Sequence, residues 1–186
     1  MKLESTLKGT IICLKAYLPE DVTQEYVDWL NDSKVNQYLE ARYRKYTLED
    51  EQEYVRNILK SDTEMLMAMV ANDSGKVIGN VHLTLNPTHK RCFIAYMIGD
   101  TSYWGRGIAT ECVKLATKWC FENLDIYRMD GGLYSVNIGS AKAIMRAGYK
   151  EEGVRPGYCL LDDGTRTDEI LYGLIRDDYN MLDYSK

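Results

Sequence analysis

The chain has 186 residues, which is enough for one domain with its own hydrophobic core. Hydrophobic residues make up 45% and charged residues 27%, and this balance excludes a disordered or fibrous protein. The net charge is −5, so nucleic acid and anionic membrane are not expected partners, because both require a basic surface. No repeat or proline-rich linker divides the sequence, and we predict a single domain over residues 1–186.

The cysteines and the N-terminal segment bear on where the protein resides. The five cysteines contain no Cys-x-x-Cys pair, so we expect reduced thiols. His, Cys and carboxylate residues show no metal-ligand spacing, and no metal is predicted. The N-terminal segment lacks the pattern of a signal peptide, and no stretch approaches the roughly 18 apolar residues of a membrane span. We therefore expect a cytoplasmic protein without membrane contact.

Apolar periodicity and turn residues predict the elements of the first half of the chain. In chain order these are a strand over Gly9–Tyr17, a helix from Pro19 to about Leu30, a helix that Thr47 opens and that runs to Leu59, and strands over Met65–Ala71, Val77–Leu85 and Cys92–Ile98. Asn72-Asp73-Ser74-Gly75 predicts a hairpin turn between the second and third strands.

The second half alternates strands and helices. The predicted elements are a loop over Gly99–Gly107, a helix from Ile108 to about Glu122, a strand over Tyr127–Tyr134, a helix over Ser140–Ala147, a strand without assigned bounds and a last strand over Glu169–Ile175. This order predicts a mixed α/β protein with an antiparallel front half. It does not show the regular alternation of a doubly wound fold.

The loop over Gly99–Gly107 carries the clearest functional signal. Gly105 and Gly107 lie one residue apart, immediately before a predicted helix. Glycines let the backbone approach a ligand closely, and a helix N-terminus offers unpaired N–H groups and a partial positive charge. The pattern therefore indicates a pyrophosphate site, in which Arg106 can pair with a phosphate. The alternative is a plain turn that needs glycine for its geometry.

Two phosphate-binding motifs fit this loop poorly. The Walker pattern G-x-x-x-x-G-K-[ST] is absent. A dinucleotide fingerprint would need a third glycine where Thr110 stands, and it would follow the first strand of its unit and not a run of antiparallel strands. A nicotinamide cofactor is therefore not expected.

A second motif follows the loop. Asn137-Ile138-Gly139-Ser140 opens a short helix that Gly148-Tyr149 closes. Together with Tyr103-Trp104-Gly105-Arg106-Gly107 it resembles the GNAT superfamily of acyl-CoA N-acyltransferases, most closely the ribosomal-protein-alanine N-acetyltransferase (RimJ/RimL-like) branch. The resemblance covers about residues 9–176. It implies a GNAT-like α/β fold with a central, mostly antiparallel mixed sheet of about six or seven strands, flanked by about four helices, in which Cys92–Ile98 and Tyr127–Tyr134 splay apart in a V.

The resemblance also implies the cofactor site. Acetyl-CoA would be the co-substrate, lying between the splayed strands. Its pantetheine amides would pair with the backbone of Met97, Ile98 and Gly99. Its pyrophosphate would bind the loop and helix start, namely Trp104, Gly105, Arg106, Gly107, Ile108, Ala109 and Thr110. Asn137 would contact the pantetheine end.

Asn137 and Ser140 would flank the thioester, so both are candidate catalytic residues. His82, on a predicted strand, is a third candidate because its ordinary pKa of about 6.5 suits a base, and a surface histidine without a role is the alternative. Two positions depart from the family pattern. Ser102 stands where relatives have Gln or Arg, and Ile144 stands where many have a tyrosine that acts as the general acid. The strand Cys92–Ile98 also lacks the carboxylate that some relatives use as a base.

The acceptor amine is predicted to meet residues outside these motifs. The candidates are Glu40 and Tyr43 between the early helices, Tyr158, and Asp168 at the start of the last strand. The tyrosines favour a small amine such as an amino sugar, whereas the branch resemblance favours a protein N-terminus. A non-catalytic acyl-CoA-binding module remains a third hypothesis because the usual acid and base are absent. A homodimer is left open.

Overall fold

The computed structural model describes residues 1–184, whose strands form one mixed sheet in the order β1-β2-β3-β4-β5-β6-β8-β7. The strands are β1 (Leu7–Lys8), β2 (Ile12–Ala16), β3 (Glu64–Ala71), β4 (Val77–Asn86), β5 (Arg91–Ile98), β6 (Arg128–Tyr134), β7 (Lys150–Leu160) and β8 (Arg166–Ile175). The helices are α1 (Gln24–Asn31), α2 (Ser33–Asn36), α3 (Leu48–Ile58), α4 (Ile108–Asn123), α5 (Ile138–Arg146) and α6 (Arg176–Tyr179). The predicted mixed sheet is confirmed, with β1 as an additional short edge strand.

The first predicted helix begins later than the sequence indicated. Pro19–Asp21 form only a 3-10 turn, and the backbone is extended at Val22. Thr23 then caps α1, because its side chain accepts the N–H of Tyr26 at 3.3 Å. An N-cap residue has non-helical backbone angles, so this threonine separates the turn from the helix. The predicted cap at Thr47 is confirmed, since its hydroxyl accepts the N–H three residues on at 3.2 Å.

Each face of the sheet has its own hydrophobic core. One core lies between the sheet and α4 with α5, and the other between the sheet and α1 with α3. Side chains of a strand alternate between faces, so β5 contributes Ile94 to the first core and Met97 to the second. The sheet is therefore covered by helices on both sides. A gap between two strands would consequently be bordered by helices.

The strands β5 and β6 are the one parallel pair of neighbours among the described strands. Their pairing is limited to Arg91–Phe93 with Arg128–Asp130, and past these residues the strands separate. The predicted splay between Cys92–Ile98 and Tyr127–Tyr134 is thereby confirmed. The helices α4 and α5 follow these two strands and contact each other, so both helix N-termini lie beside the opening.

No helix within residues 1–184 combines the length and apolar character that a membrane span requires. Within the same residues no three His, Cys, Asp or Glu side chains gather as a candidate metal site. The five cysteines are free thiols, and four of them are buried.

Glu111 connects the start of β2 to the first turn of α4. Its carboxylate accepts the backbone N–H groups of Thr10, Ile11 and Ile12 at 2.6, 2.8 and 2.8 Å. Hydrogen bonds to a charged acceptor are stronger than neutral ones. This carboxylate therefore holds the N-terminus of α4, and with it the glycine loop, against the sheet.

We expect Glu111→Gln to lower the free energy of unfolding by about 2 kcal/mol, because a single amide oxygen replaces a charge that accepts three bonds. Glu122→Gln, at an exposed position near the end of the same helix, is the matched control and should change stability by less than about 0.5 kcal/mol. Urea denaturation measures both. Equal effects of the two substitutions would contradict the role assigned to Glu111.

Candidate active site

A cavity of about 540 Å³ opens beside the part of β5 that lies past its pairing with β6. Its walls come from β5, the loop before α4, the first turn of α4, one side of α5 from its first to its last turn, and the segment 34–39. The predicted site residues on these walls are Met97, Ile98, Trp104, Gly105, Gly107, Ile108, Ala109, Thr110, Asn137 and Ser140. The two motifs that lie apart in the sequence therefore face one shared cavity.

The two loop glycines are required by their backbone conformation. Gly105 has φ +77° and Gly107 has φ +82°, in the left-handed region that favours glycine. A β-carbon at Gly105 would meet no atom within 4 Å, so crowding is not the reason for this residue. Gly107 is the N-cap of α4 and supplies no side-chain acceptor, so the first N–H groups of α4 are left for a ligand.

The side chains of Trp104 and Arg106 point in different directions. The Trp104 indole lines the cavity and donates its Nε1–H to the carbonyl of Ile98 at 2.8 Å. The Arg106 guanidinium lies 3.7 Å from the Asp73 carboxylate and 4.7 Å from the centre of the Tyr103 ring. Arg106 does not line the cavity, so its predicted phosphate contact would require the side chain to leave these partners.

The strand register shows which backbone groups face the opening. The N–H of Gly99 donates to Ile78 of β4 at 2.9 Å. Hydrogen-bonded positions alternate along an antiparallel pair, so Met97 also directs its N–H and C=O towards β4. The groups of Tyr96 and Ile98 face the opening. The register therefore directs the backbone of Met97 and the N–H of Gly99 away from the opening, and pantetheine contacts of Met97, Ile98 and Gly99 stay a prediction.

Three basic residues on the cavity walls were not identified from the sequence. Lys142 and Arg146 lie one turn apart on α5, and the Lys34 ammonium is 5.9 Å from the centre of the Trp104 ring. No Asp or Glu belongs to the described lining. A wall of cations without carboxylates suits a polyanionic ligand. The four-residue spacing of the two α5 cations, directly after the Asn137 motif, was the available signal.

Asn137 and Ser140 have distinct positions at the start of α5. Asn137 is the N-cap, and its Oδ1 accepts the N–H of Ser140 at 3.2 Å. Ser140 therefore does not cap the helix, and it lies on the cavity wall. Its backbone carbonyl accepts the hydroxyl proton of Tyr96, with an oxygen–oxygen distance of 3.3 Å.

His82 lies elsewhere. It is half-buried on β4, with Nε2 3.5 Å from the Glu64 carboxylate and its ring 6.4 Å from that of Tyr54 of α3. Burial lowers the pKa of His82 and outweighs the opposing effect of Glu64. His82 is absent from the cavity lining, so the structure does not bring it together with Asn137 and Ser140.

A carboxylate and a tyrosine meet at the edge of the cavity. The Tyr134 hydroxyl donates to Oε1 of Glu40 at 2.7 Å. Burial, followed by this hydrogen bond, raises the pKa of Tyr134, so the hydroxyl keeps its proton at neutral pH. The Tyr38 ring lines the cavity and lies 5.9 Å from the Tyr134 ring. The Glu40 carboxylate is therefore held in a defined position next to the cavity.

Arg42 joins the segment that carries Glu40 to the β7–β8 hairpin. Its guanidinium donates to the carbonyl of Leu160 and, at 2.7 Å, to the hydroxyl of Tyr43. Its Nε is 3.3 Å from the Asp162 carboxylate. Tyr43 also donates to the Leu160 carbonyl at 3.3 Å. Two parts of the chain that are distant in sequence therefore form one wall beside the cavity edge.

The other two predicted acceptor residues lie on β7 and β8, outside the cavity lining. Asp168 Oδ1 accepts the N–H of Gly157 at 2.7 Å, where the register between the two strands is interrupted. Tyr158 is 60% exposed, with the Arg155 guanidinium 5.1 Å from the centre of its ring. Asp168 thus has a structural partner, and a substrate contact for either residue stays a prediction.

Comparison with known proteins identifies the family. Residues 12–150 match the acetyltransferase (GNAT) domain family. The chain therefore belongs to the GNAT family of acetyltransferases, as the two motifs predicted.

Individual relatives share less than 30% sequence identity with this chain. The probable N-acetyltransferase YjcK of Bacillus subtilis strain 168 is 28% identical over 114 residues, which are 59% of this chain and 62% of YjcK. Spermidine N-acetyltransferase from Vibrio cholerae, in complex with CoA and spermine, shares the fold with a TM-score of 0.81 and 16% identity, over 92% of this chain and 99% of that one. RimL, the ribosomal L7/L12 α-N-protein acetyltransferase in complex with coenzyme A, gives a TM-score of 0.80 and 18% identity, over 94% and 99%.

We expect the double substitution Lys142→Ala/Arg146→Ala to weaken CoA binding at least about tenfold, because it removes two of the three cations on the cavity wall. The loss should shrink at high salt, where phosphate contacts are screened. Lys118→Ala on α4, outside this cavity, is the control. Calorimetric titration with CoA at two salt concentrations tests this, and unchanged affinity in the double variant would refute the assignment.

Proposed function

We propose that this protein transfers an acetyl group from acetyl-CoA to the primary amine of a small cationic molecule. The observation that carries the proposal is the cavity beside β5, whose walls combine an open strand edge, the N-terminus of α4 and three cations. Acetyl-CoA supplies an activated acetyl group as a thioester.

The cavity walls fit this co-substrate. The backbone groups of Tyr96 and the N–H of Ile98 would pair with the pantetheine amides, as an added strand would, while the Ile98 carbonyl keeps the Trp104 indole as its partner. The uncapped first turn of α4, together with Lys142 and Arg146, would hold the phosphates. The absence of carboxylates from the described lining agrees with an anionic ligand.

The amine would approach from the side of Glu40. A carboxylate attracts an ammonium group and can accept its proton before the nitrogen attacks. Tyr134 orients that carboxylate through its hydrogen bond, and the rings of Tyr38 and Tyr134 offer aromatic faces to a cation. Beside this edge, Arg42 joins the segment that carries Glu40 to the β7–β8 hairpin. Because this contact narrows the space next to Glu40, it favours a small amine over a polypeptide chain.

The direct test measures thiol release from acetyl-CoA with a panel of polyamines, amino sugars and peptides with free N-termini, followed by mass spectrometry of the products. Transfer to a small amine is expected. Preferred transfer to peptides would instead favour a protein N-terminal acetyltransferase. Binding of CoA without transfer to any amine would favour a non-catalytic module.

We expect Glu40→Gln to lower kcat/KM for the amine about a hundredfold, because the neutral amide neither attracts an ammonium group nor accepts its proton. Tyr134→Phe should cause a smaller loss, about tenfold, because the carboxylate remains but is no longer oriented. Affinity for CoA should not change in either variant.

Glu49→Gln, in the exposed first turn of α3, is the control for loss of one negative charge. Initial rates with the best amine and calorimetry with CoA separate the two substrates. An equal loss in the Glu49 variant, or reduced CoA affinity in Glu40→Gln, would show that Glu40 does not act on the amine.

A further inference from the structure

The side chain of Tyr96 reaches from β5 to the helix α5. Tyr96 lies on β5 three residues beyond the last residue that pairs with β6, on the face covered by α4 and α5. Its hydroxyl reaches the carbonyl of Ser140 in the first turn of α5. Tyr96 also lines the cavity, so its hydroxyl joins the β5 wall to the α5 wall at the bond to Ser140.

The other phenols of the lining are less suited to meet a reacting group at the start of α5. The Tyr103 hydroxyl is bonded to Asp73 and Ser74, both at 2.9 Å, beside the glycine loop. Tyr38 lies against Tyr134, on the side of the cavity that carries Glu40. Among the described lining residues, Tyr96 is therefore the phenol that contacts the first turn of α5.

The helix α5 offers no alternative phenol there. Ile144 is buried and fills the space above Gly131, where an added β-carbon would lie 2.6 Å from its Cδ1. Ser140 has a hydroxyl on the cavity wall, but an aliphatic hydroxyl is a far weaker acid than a phenol. Of the two hydroxyls that meet at the start of α5, the Tyr96 phenol is therefore the stronger acid.

The environment of Tyr96 keeps the phenol protonated but gives its hydroxyl only a long hydrogen bond. Burial raises its pKa to about 12, so the phenol is protonated at neutral pH. The titratable groups around it are the Cys112 thiol of α4 and, on the same cavity wall, Lys142 and Arg146 of α5. Its bond to Ser140, at 3.3 Å, is longer than the usual hydroxyl bond of about 2.8 Å, so the proton can turn to a better acceptor at little cost.

We infer that the Tyr96 hydroxyl donates its proton to the sulfur that leaves during acetyl transfer. The inference rests on the proposed function. As the amine nitrogen bonds to the acetyl carbon, the carbon–sulfur bond breaks and sulfur takes the bonding electron pair. Sulfur then receives the proton of Tyr96. The acceptor enters as an ammonium ion and gives one proton to the Glu40 carboxylate, and through it to water, before the attack. The nitrogen loses a second proton by the same route as the amide forms, and the phenolate regains a proton from water.

The first test needs no turnover. A phenol that donates to sulfur stabilises the thiolate, so it lowers the pKa of the thiol of bound CoA. We expect Tyr96→Phe to raise that pKa by about one unit, a tenfold shift in the thiol–thiolate equilibrium, with affinity for CoA little changed. The ultraviolet absorbance of the thiolate reports the titration, with the desulfo-CoA complex as the reference for tyrosine ionisation. Tyr127→Phe, at an exposed position before β6, is the matched control.

The second test uses the leaving group. With acetyl-CoA, Tyr96→Phe should lower kcat about a hundredfold. With acetyl-selenoCoA, whose selenolate leaves without a proton, the loss should fall to a few-fold. A similar loss with both donors would indicate a merely structural role and overturn the inference, as would an unchanged thiol pKa. If Ser140→Ala lowered kcat and Tyr96→Phe did not, the inference would be overturned as well, because the proton would then come from serine.

The two proposals fail separately. If the wild-type protein transfers acetyl groups but both Tyr96 tests are negative, only the role of Tyr96 is refuted. If it binds CoA but acetylates no amine, the proposed function is refuted and the step assigned to Tyr96 falls with it. In that case the thiol titration still shows whether the phenol contacts sulfur.

Discussion

The functional part of this protein depends on a ladder of hydrogen bonds that ends early. β5 and β6 pair only over Arg91–Phe93 and Arg128–Asp130. Backbone N–H and C=O groups in a protein interior require partners, and past Phe93 the strand β6 supplies none to β5, so this edge is open to an extended ligand. Because α4 and α5 each follow one of the two strands, the same separation places both helix N-termini at the opening. One interruption in the sheet thus creates the cavity and surrounds it with donors.

Charge separates the two ends of this cavity. The described lining contains Lys34, Lys142 and Arg146 but no carboxylate, whereas Glu40 lies beyond Tyr38 at the edge. A polyanion and an ammonium ion are therefore attracted to different ends of one space. Tyr96, a phenol that is protonated at neutral pH, lines the same cavity, and hydrogen bonds are stronger in such a partly buried environment than in water.

Side chains that bind distant backbone hold these walls in place. Glu111 accepts N–H groups about a hundred positions away in the chain, and Arg42 donates to the carbonyl of Leu160, 118 positions away. Each is a charged group that satisfies several partners, which makes the contact both strong and directional. Neither contact could be predicted from the sequence, since no local pattern indicates which remote carbonyl an arginine will reach.

The sequence by itself determined the features that depend on local conformation. Gly105 and Gly107 were predictable because their backbone angles require glycine, and the cap at Thr47 because it involves residues three apart. Tertiary structure decided the rest. Whether Tyr96 or Met97 presents its backbone to the opening depends on pairing with β4, and whether Arg106 or Lys142 lines the cavity depends on how the helices pack. Register and packing are properties of segments that meet only in the folded chain, so no single stretch of sequence carries them.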